Sequence, residues 1–486
     1  MLSKELTDKY QLVVGLEVHA QLATSSKLFA EDAIGFGADP NTQVSVISLG
    51  HPGTLPKLNM RAVEFAVRMG LACQCTINRH SSFDRKNYFY PDLPKGYQIT
   101  QDKEPICLGG KVPILLEDGS ELAVQLNRIH LEEDAGKLIH APQKEASWVD
   151  FNRAGTALIE IVTEPCLRSS EEAVVFLSEI RKMVMYLGIC DGNMEEGSLR
   201  CDANVSVRLR STETLGKKVE VKNMNSFRNL GRAIDYEYER QVGLLESGSA
   251  IISETRTFDA DGGYTSSMRT KEELNDYRYF PDPDLPPVLL TDEWIGSVSA
   301  NLPALPNALY RKFRETYGLP RYDAALLTES KEMAFFFDAL CSKTRHYKAA
   351  SNWMMGPMKS HANETGTTFA DFPLNVEVIA QLIELVEEGQ VSFSVAAQKI
   401  YPELILNPGV TPLEIAQRLN LIQKSDSSYL IPMAKEVLLE NLEKVKEFKS
   451  GKKGLLGLFM GELMKKSGGK ADPKVASRIF SELLAN

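Results

Sequence analysis

The chain of 486 residues contains no apolar run of about eighteen residues, so no segment reads as a membrane-spanning helix. Its opening, MLSKELTDKYQ, lacks the apolar centre of a secretory leader. Together these absences predict an intracellular, cytoplasmic protein with no membrane partner. Cysteine is scarce: seven residues, odd in number and irregularly spaced, as suits reduced thiols and not a disulfide framework. Cys73 and Cys75 form C-x-C without a second pair at zinc-finger spacing, which argues against a structural zinc there. Several nucleotide signatures are missing too. Without G-x-x-x-x-G-K-[ST], a bound nucleotide is not held by a P-loop. The absence of G-x-G-x-x-G opening a helix after a strand argues against a dinucleotide fold. An N-terminal cysteine nucleophile, a G-x-S-x-G and a Ser-Ser pair between paired glycines are all lacking, so the chain reads as having no glutaminase of its own. Positive charge is also in deficit, 55 Lys and Arg against 65 Asp and Glu, for a net −10. Nucleic acid would therefore have to be met by a local basic patch.

One such patch is present. From Lys449 to Arg478, seven lysines and one arginine face only Glu462 and Asp472. Hydrophobic content of 43 % and charged content of 25 % are those of a folded globular protein, and the length predicts two to four domains. The first part, residues 1–290, is rich in strand-like alternation, and the remainder in helical periodicity. The proline run FPDPDLPPV (Phe280–Val288) reads as a stiff connector between the two styles. Beyond it, NVEVIAQLIELVEEG puts Val376, Ile379, Leu382, Ile383 and Val386 on one helical face, with Gly389 as C-cap. A second break, YPELILNPGVTP, divides a helical domain (291–406) from a small helical tail (407–486). In the tail Asp472 can N-cap a last helix that Pro473 opens, and Gly454, Gly457 and Gly461 fit a compact helical module. NYFYPDLP (Asn87–Pro94) is echoed by YRYFPDPDLPP (Tyr277–Pro287), and the echo reads as coincidence and not as a repeat.

Chemistry-bearing residues gather on strands. In LVVGLEVHAQL the even positions Leu12 to Leu22 are apolar, and Glu17 and His19 share the other face, about 7 Å apart. A carboxylate beside an imidazole is a plausible pair of metal ligands, and equally a polar sheet face touching water. LRCDANVSVRL alternates in the same way. Leu199, Cys201, Ala203, Val205, Val207 and Leu209 point inward; Arg200, Asp202, Asn204, Ser206 and Arg208 point out. In ALIEIVTEP, Glu160 falls on an otherwise apolar face with Leu158 and Val162, where an unpaired carboxylate would cost several kcal/mol. The acid run IHLEEDAGK (Ile129–Lys137) could be a solvated turn. As the end of a strand it puts Arg128, His130 and Glu132 on one face and Glu133 on the other, with Gly136 permitting a sharp turn. Carboxylates from four segments beside Arg128, Arg153, Arg200, Arg208 and Lys222 suit Mg²⁺ carrying phosphate oxygens.

The segments VVGLEVHAQL, FDRKNYFYPDLPKGYQITQ, HLEEDAGK, DFNRAGTALIEIVTEP, EEGSLRCDANVSVR and EVKNMNSF, with the tail GLLGLFMGELMKKSGGKADPKV, resemble the B subunit of the aspartyl/glutamyl-tRNA amidotransferase. The resemblance runs in order from about Leu12 to the last helix. It implies an α+β fold: a glutamine-synthetase-like cradle on a mainly antiparallel sheet, then a helical domain and a small helical tail. It implies an ATP- and Mg²⁺-dependent ligase that phosphorylates the side-chain carboxylate of Glu-tRNA(Gln) or Asp-tRNA(Asn). Ammonia from a partner amidase subunit would then amidate the acyl phosphate, with a small linking subunit completing a heterotrimer. Carried over by position, the metal and catalytic residues fall on Glu17, His19, Glu132, Glu133, Glu160 and Asp202; the neighbouring cations Arg153, Arg200, Arg208 and Lys222 are expected toward the nucleotide. Lys452, Lys453, Lys465 and Lys466 would meet tRNA through the tail. Arg85, Lys86, Lys95 and the tyrosines Tyr88, Tyr90 and Tyr97 would receive its 3′ end. Many relatives carry four zinc-binding cysteines in the stretch matching Lys27–Gly53. None is present here, and no zinc is expected. Two rival readings are a non-catalytic tRNA-binding scaffold and a free-standing ligase for a small carboxylic acid.

Overall fold

Alternation in the N-terminal part becomes, among the described residues, a ten-stranded sheet. The fold is described from a computed structural model covering residues 2–140, 146–270, 277–422, 427–468, 471 and 473–485. The chain divides into two units, Met1–Asn307 and Ala308–Asn486. Five strands form the middle of the sheet: β1 (Tyr10–Gln21), β2 (Glu121–Glu133), β3 (Ala157–Thr163), β4 (Leu199–Leu209) and β5 (Val219–Lys222). They lie in the order β5-β4-β1-β3-β2, each antiparallel to its neighbour. One face is apolar, as the alternation predicts: Val14, Leu16, Val18 and Ala20 of β1 are at most 1 % exposed. Three helices supply the other half of that core: Met60–Ala72, Ser170–Leu187 and Phe227–Glu246. Each begins at a side-chain cap, from Asn59, Ser169 and Ser226. Buried side chains such as Phe176, Leu177 and Ile180 contribute on the order of 1.5–3 kcal/mol each. Leu209 departs from its predicted inward position and is 39 % exposed at the end of β4. With one face sealed by helices, the opposite face is where polar chemistry can collect.

The proline run belongs to this first unit and does not simply leave it. Arg278–Pro281 pairs with Asp84–Asn87, which pairs in turn with Tyr97–Thr100 to make a small three-stranded sheet. Pro281 is tolerated there because its strand is an edge. Asp282, 4 % exposed, accepts from Arg85 Nε at 2.8 Å, and Val288–Leu289 pairs with His80–Ser81. The aromatic–proline echo thus marks two segments that meet across one small sheet.

In the second unit every named element among the described residues is a helix. Val376–Glu387 buries Ile379, Ala380, Leu382, Ile383 and Leu385, whereas Val376 and Val386 are half-buried, so the stripe is rotated slightly from its predicted centre. Two wide turns, Met354–Met358 around Pro357 and Ala396–Ile400 just ahead of Pro402, occur where proline withdraws an amide donor from the ladder. The tail has its own core of Leu430, Phe459, Leu463, Ile479, Phe480 and Leu484. Pro473 opens the last helix, and Asp472 lies outside the described residues. A Cβ at Gly454, Gly457 or Gly461 would meet nothing within 4 Å, so those glycines are not required for close helix packing.

Candidate active site

Strand register decides which acids meet. Glu17 lies opposite Asp202, while His19 lies opposite Glu160 on one side and Arg200 on the other. Glu160 is in turn opposite His130. The result is two separate clusters on the polar face. In the first, His19 Nε2 is 3.6 Å from Glu160 and 3.9 Å from Glu132. His130 Nε2 approaches the same two carboxylates at 3.3 and 3.6 Å. In the second, Glu17, Asp202 and Glu220 bring one oxygen each within 4.8 Å of one another, as the ligand atoms of His19, Glu132 and Glu160 also do. Both clusters line one cleft of about 680 Å³. Its lining also includes Lys86, Arg200, Lys222 and the tyrosines Tyr88, Tyr277 and Tyr279. Lys86 Nζ stands 4.6 Å from the Tyr277 ring centroid and 5.8 Å from that of Tyr88, within cation–π range.

The electrostatics follow from burial set against partners. Burial pushes the Glu160 carboxyl up, but His130 and His19 outweigh it and hold that carboxyl well below the usual range. The same pairing works in reverse on His130. Burial lowers it, yet Glu160 and Glu132 push it up to about 9. Glu17 is raised, first by burial and then by repulsion from Glu160, although Asn204 Nδ2 donates to it at 2.8 Å. Lys86, desolvated but facing Glu132, is pushed up to about 12. Acids and permanent cations are interleaved in the lining of the cleft, with Lys222 beside Asp202 and Glu220 and Arg200 beside Asp134. Each acid cluster presents hard oxygen donors, with one imidazole in the first, and this donor set fits a hard divalent cation.

The model of the GatB/GatE catalytic domain matches residues 12–296, and that of the GatB domain matches residues 335–484. The B subunit of the aspartyl/glutamyl-tRNA(Asn/Gln) amidotransferase of Synechococcus sp. (strain JA-3-3Ab) is 47 % identical over 481 residues, 98 % of this chain and 98 % of the relative. The chain belongs to that B-subunit family. Proteins of the same name from Geotalea uraniireducens (strain Rf4) and Oleidesulfovibrio alaskensis are 46 % and 48 % identical, each across 98 % of this chain and 99 % of their own length.

Not every residue expected at the site reaches the cleft. Glu17, His19, Glu132, Glu160, Asp202, Arg200, Lys222 and Lys86 do. Glu133 does not, because adjacent strand residues point to opposite faces. Its carboxylate instead takes Lys95 Nζ at 2.7 Å and the amide of Ile99 at 2.9 Å, away from Glu132. Arg153 is spent on the carbonyls of Ala135 and Gly136, at 2.9 and 2.7 Å. Arg208 grips Gln11 Oε1 and the Glu213 carbonyl. Arg85 pairs with Asp282 and Asp284 and lies 4.4 Å from the Tyr97 ring centroid. In the tail, Lys453 and Lys465 are exposed, whereas Lys452 pairs with Glu447 and Lys466 with Glu436 and Glu440. The turn closing the acid run needs Gly136 for close approach: a Cβ there would meet the carbonyl oxygens of Asp150 and Asp92 at 2.9 and 3.0 Å.

Sequence reasoning missed Glu220, His130, Asp134, Tyr277 and Tyr279 as parts of the site. Glu220 was detectable, since it shares a strand face with Lys222 two residues on, and His130 shares one with Glu132. Asp134 is 4 % exposed, and burial would raise its carboxyl. Arg200 and Arg153 overrule burial and hold it below the usual range. Gln21 Nε2 and Arg200 donate to it at 2.7 and 2.8 Å, which ties β1 to β4 at the rim of the cleft. In the cysteine-free stretch Lys27–Gly53, Asp32 accepts from Ser45 Oγ at 3.0 Å and from Ser48 Oγ, with Lys27 Nζ 3.8 Å away.

Proposed function

We propose that this chain is the carboxylate-activating subunit of a tRNA-dependent amidotransferase of the cytoplasm. It uses ATP to phosphorylate the side-chain carboxylate of Glu-tRNA(Gln), Asp-tRNA(Asn) or both, and a partner amidase subunit delivers the ammonia that displaces phosphate. A small linking subunit joins the two. The observation that carries this reading is two three-donor clusters facing one cleft that Lys86, Arg200 and Lys222 also line.

Glu17, Asp202 and Glu220 would hold one Mg²⁺, and His19, Glu132 and Glu160 another. When bound, the ions supply the positive charge that lets two anions, nucleotide phosphate and substrate carboxylate, approach one another. Lys86, Arg200 and Lys222, lining the same cleft, orient those anions as charged hydrogen-bond donors. Tyr88, Tyr277 and Tyr279 exclude water beside them, which an acyl phosphate needs until ammonia arrives, and offer ring faces for the 3′ end of the tRNA. Glu133, Arg153 and Arg208 hold the frame. Lys452, Lys453, Lys465 and Lys466 meet tRNA phosphates from the tail. The hydroxyl and carboxylate groups around Asp32 have no thiolate among them, which supports a protein without zinc.

The test is co-purification with the amidase subunit, followed by amidation of both misacylated tRNAs with ATP and glutamine. Product that depends on both cosubstrates is expected, with ATP turnover stimulated by the misacylated tRNA. Tight tRNA binding without turnover would leave a scaffold, and turnover indifferent to tRNA would point to a ligase for a small acid.

A further inference from the structure

The two acid clusters are built alike but balanced differently. Among the described residues, the ion-pair partners of Glu132 and Glu160 are the two histidines. The second cluster already contains a permanent cation. Lys222 Nζ is bonded to Asp202 Oδ2 and lies 2.9 Å from Glu220 Oε1. Neutral groups also reach this cluster: Asn204 donates to Glu17 at 2.8 Å and Thr255 Oγ1 to the second Glu220 oxygen at 2.8 Å. Three carboxylates and one ammonium share a space that three oxygens alone would offer to a divalent ion. The ammonium and such an ion would claim the same two carboxylates, and like charges at that separation repel strongly.

We infer that Lys222 is a displaceable counter-ion, which satisfies the Glu17 cluster in the resting protein and passes to a phosphate oxygen of the nucleotide when a divalent ion enters. The first cluster then takes its ion without nucleotide, and the second takes one only together with nucleotide. Lys222 is placed for this. It is the last residue of β5, the chain turns at Asn223 with φ 65°, its side chain is 30 % exposed, and it lines the cleft. A lysine ammonium on a flexible four-carbon stem can exchange partners where a fixed arginine fork would not. The inference rests on the metal reading of the cleft given above.

The experiment is Mn²⁺ titration of the full-length chain followed by electron paramagnetic resonance, without nucleotide, for the wild type, Lys222→Met, Lys222→Gln and Lys222→Arg. Wild type and Lys222→Arg should bind one Mn²⁺ tightly. The two neutral variants should bind two, the second at least about tenfold more tightly than in the wild type. Asp202→Asn added to Lys222→Met should remove that second ion. Binding of a non-hydrolysable Mg·ATP analogue should weaken about tenfold in the neutral variants, for loss of one charged phosphate contact. Two equally tight ions in the wild type, or neutral variants that match it in both Mn²⁺ and nucleotide binding, overturn the inference. If a single tight site is still abolished by Glu160→Gln, the metal reading survives that failure. If wild type and every variant bind no Mn²⁺, the metal reading falls and this inference with it.

Discussion

Glu160 is the hinge of the first cluster, so neutralising it tests the electrostatic account most directly. Glu160→Gln keeps the shape and removes one charge lying 3.6 Å from His19 and 3.3 Å from His130. Burial alone would lower the His130 imidazole. The carboxylates, Glu160 foremost, raise it from the ordinary 6.5 to about 9, a preference for the protonated form worth about 3 kcal/mol. A folded value above the unfolded one favours the fold fully below pH 6.5, and the benefit is lost as pH rises through 9. Metal-free protein in chelator should therefore lose about 3 kcal/mol of stability across that window, and Glu160→Gln should lose much less. The site-specific assay is NMR of protein labelled at the histidine Cε1, with seven histidines to resolve. His130 should titrate near 9 in the metal-free wild type and at or below the ordinary histidine range in the variant. Mg²⁺ should lower it in the wild type by repelling the proton. A His130 that titrates ordinarily in the metal-free wild type, or stays near 9 in Glu160→Gln, would refute the reasoning.

Lys27 offers the opposite sign. Its side chain is fully buried, and burial pushes the ammonium down to about 8, against only partial compensation from Asp32. A lowered lysine favours the fold fully above its unfolded value of 10.5, and that contribution is lost as pH falls through 8. Lys27→Met should accordingly stabilise the protein by about 1–3 kcal/mol at pH 7 and by little near pH 10, read from denaturant unfolding; destabilisation at pH 7 would mean that the bond to Asp32 dominates. Neutralising Lys452, Lys453, Lys465 and Lys466 together should weaken tRNA binding and reduce its log–log salt slope by about 2, not by the 3 to 4 of four free phosphate contacts, because Lys452 and Lys466 are already paired with glutamates. An unchanged slope between low and moderate salt would remove the tail from the phosphate-contacting surface. Gly70→Ala would set a Cβ 2.3 Å from Cys107 Sγ and 2.9 Å from Ile77 Cδ1. It should cost about 1–3 kcal/mol in thermal unfolding, and Cys107→Ala on the same chain should recover part of that.

The sequence by itself determined which residues could share a face. Strict alternation in β1 and β4 separates Val14, Leu16 and Val18 from Glu17 and His19, and Ala203 and Val205 from Asp202, because side chains in a strand repeat every second residue. It also put Glu160 where it had to find a partner, and a helical stripe on residues 376–387. Alternation is local, however, and carries no information about which strand lies alongside which. Only pairing across 100 or more residues sent Glu17 to Asp202 and His19 to Glu160, so that neighbours two apart in sequence serve different clusters. Pairing over shorter separations, Asn204 with Glu220 and Glu160 with His130, brought those two into the site, and the edge pairing of Arg278–Pro281 with Asp84–Asn87 brought Tyr279 and its neighbour Tyr277 to the lining of the same cleft. Glu133 was excluded by a rule the sequence already contained, whereas the fates of Arg153 and Arg208 depended on carbonyls and amides that folding alone delivers. A strand's faces are set within a few residues; its neighbours are set by the burial of a whole core, and no short stretch can announce that.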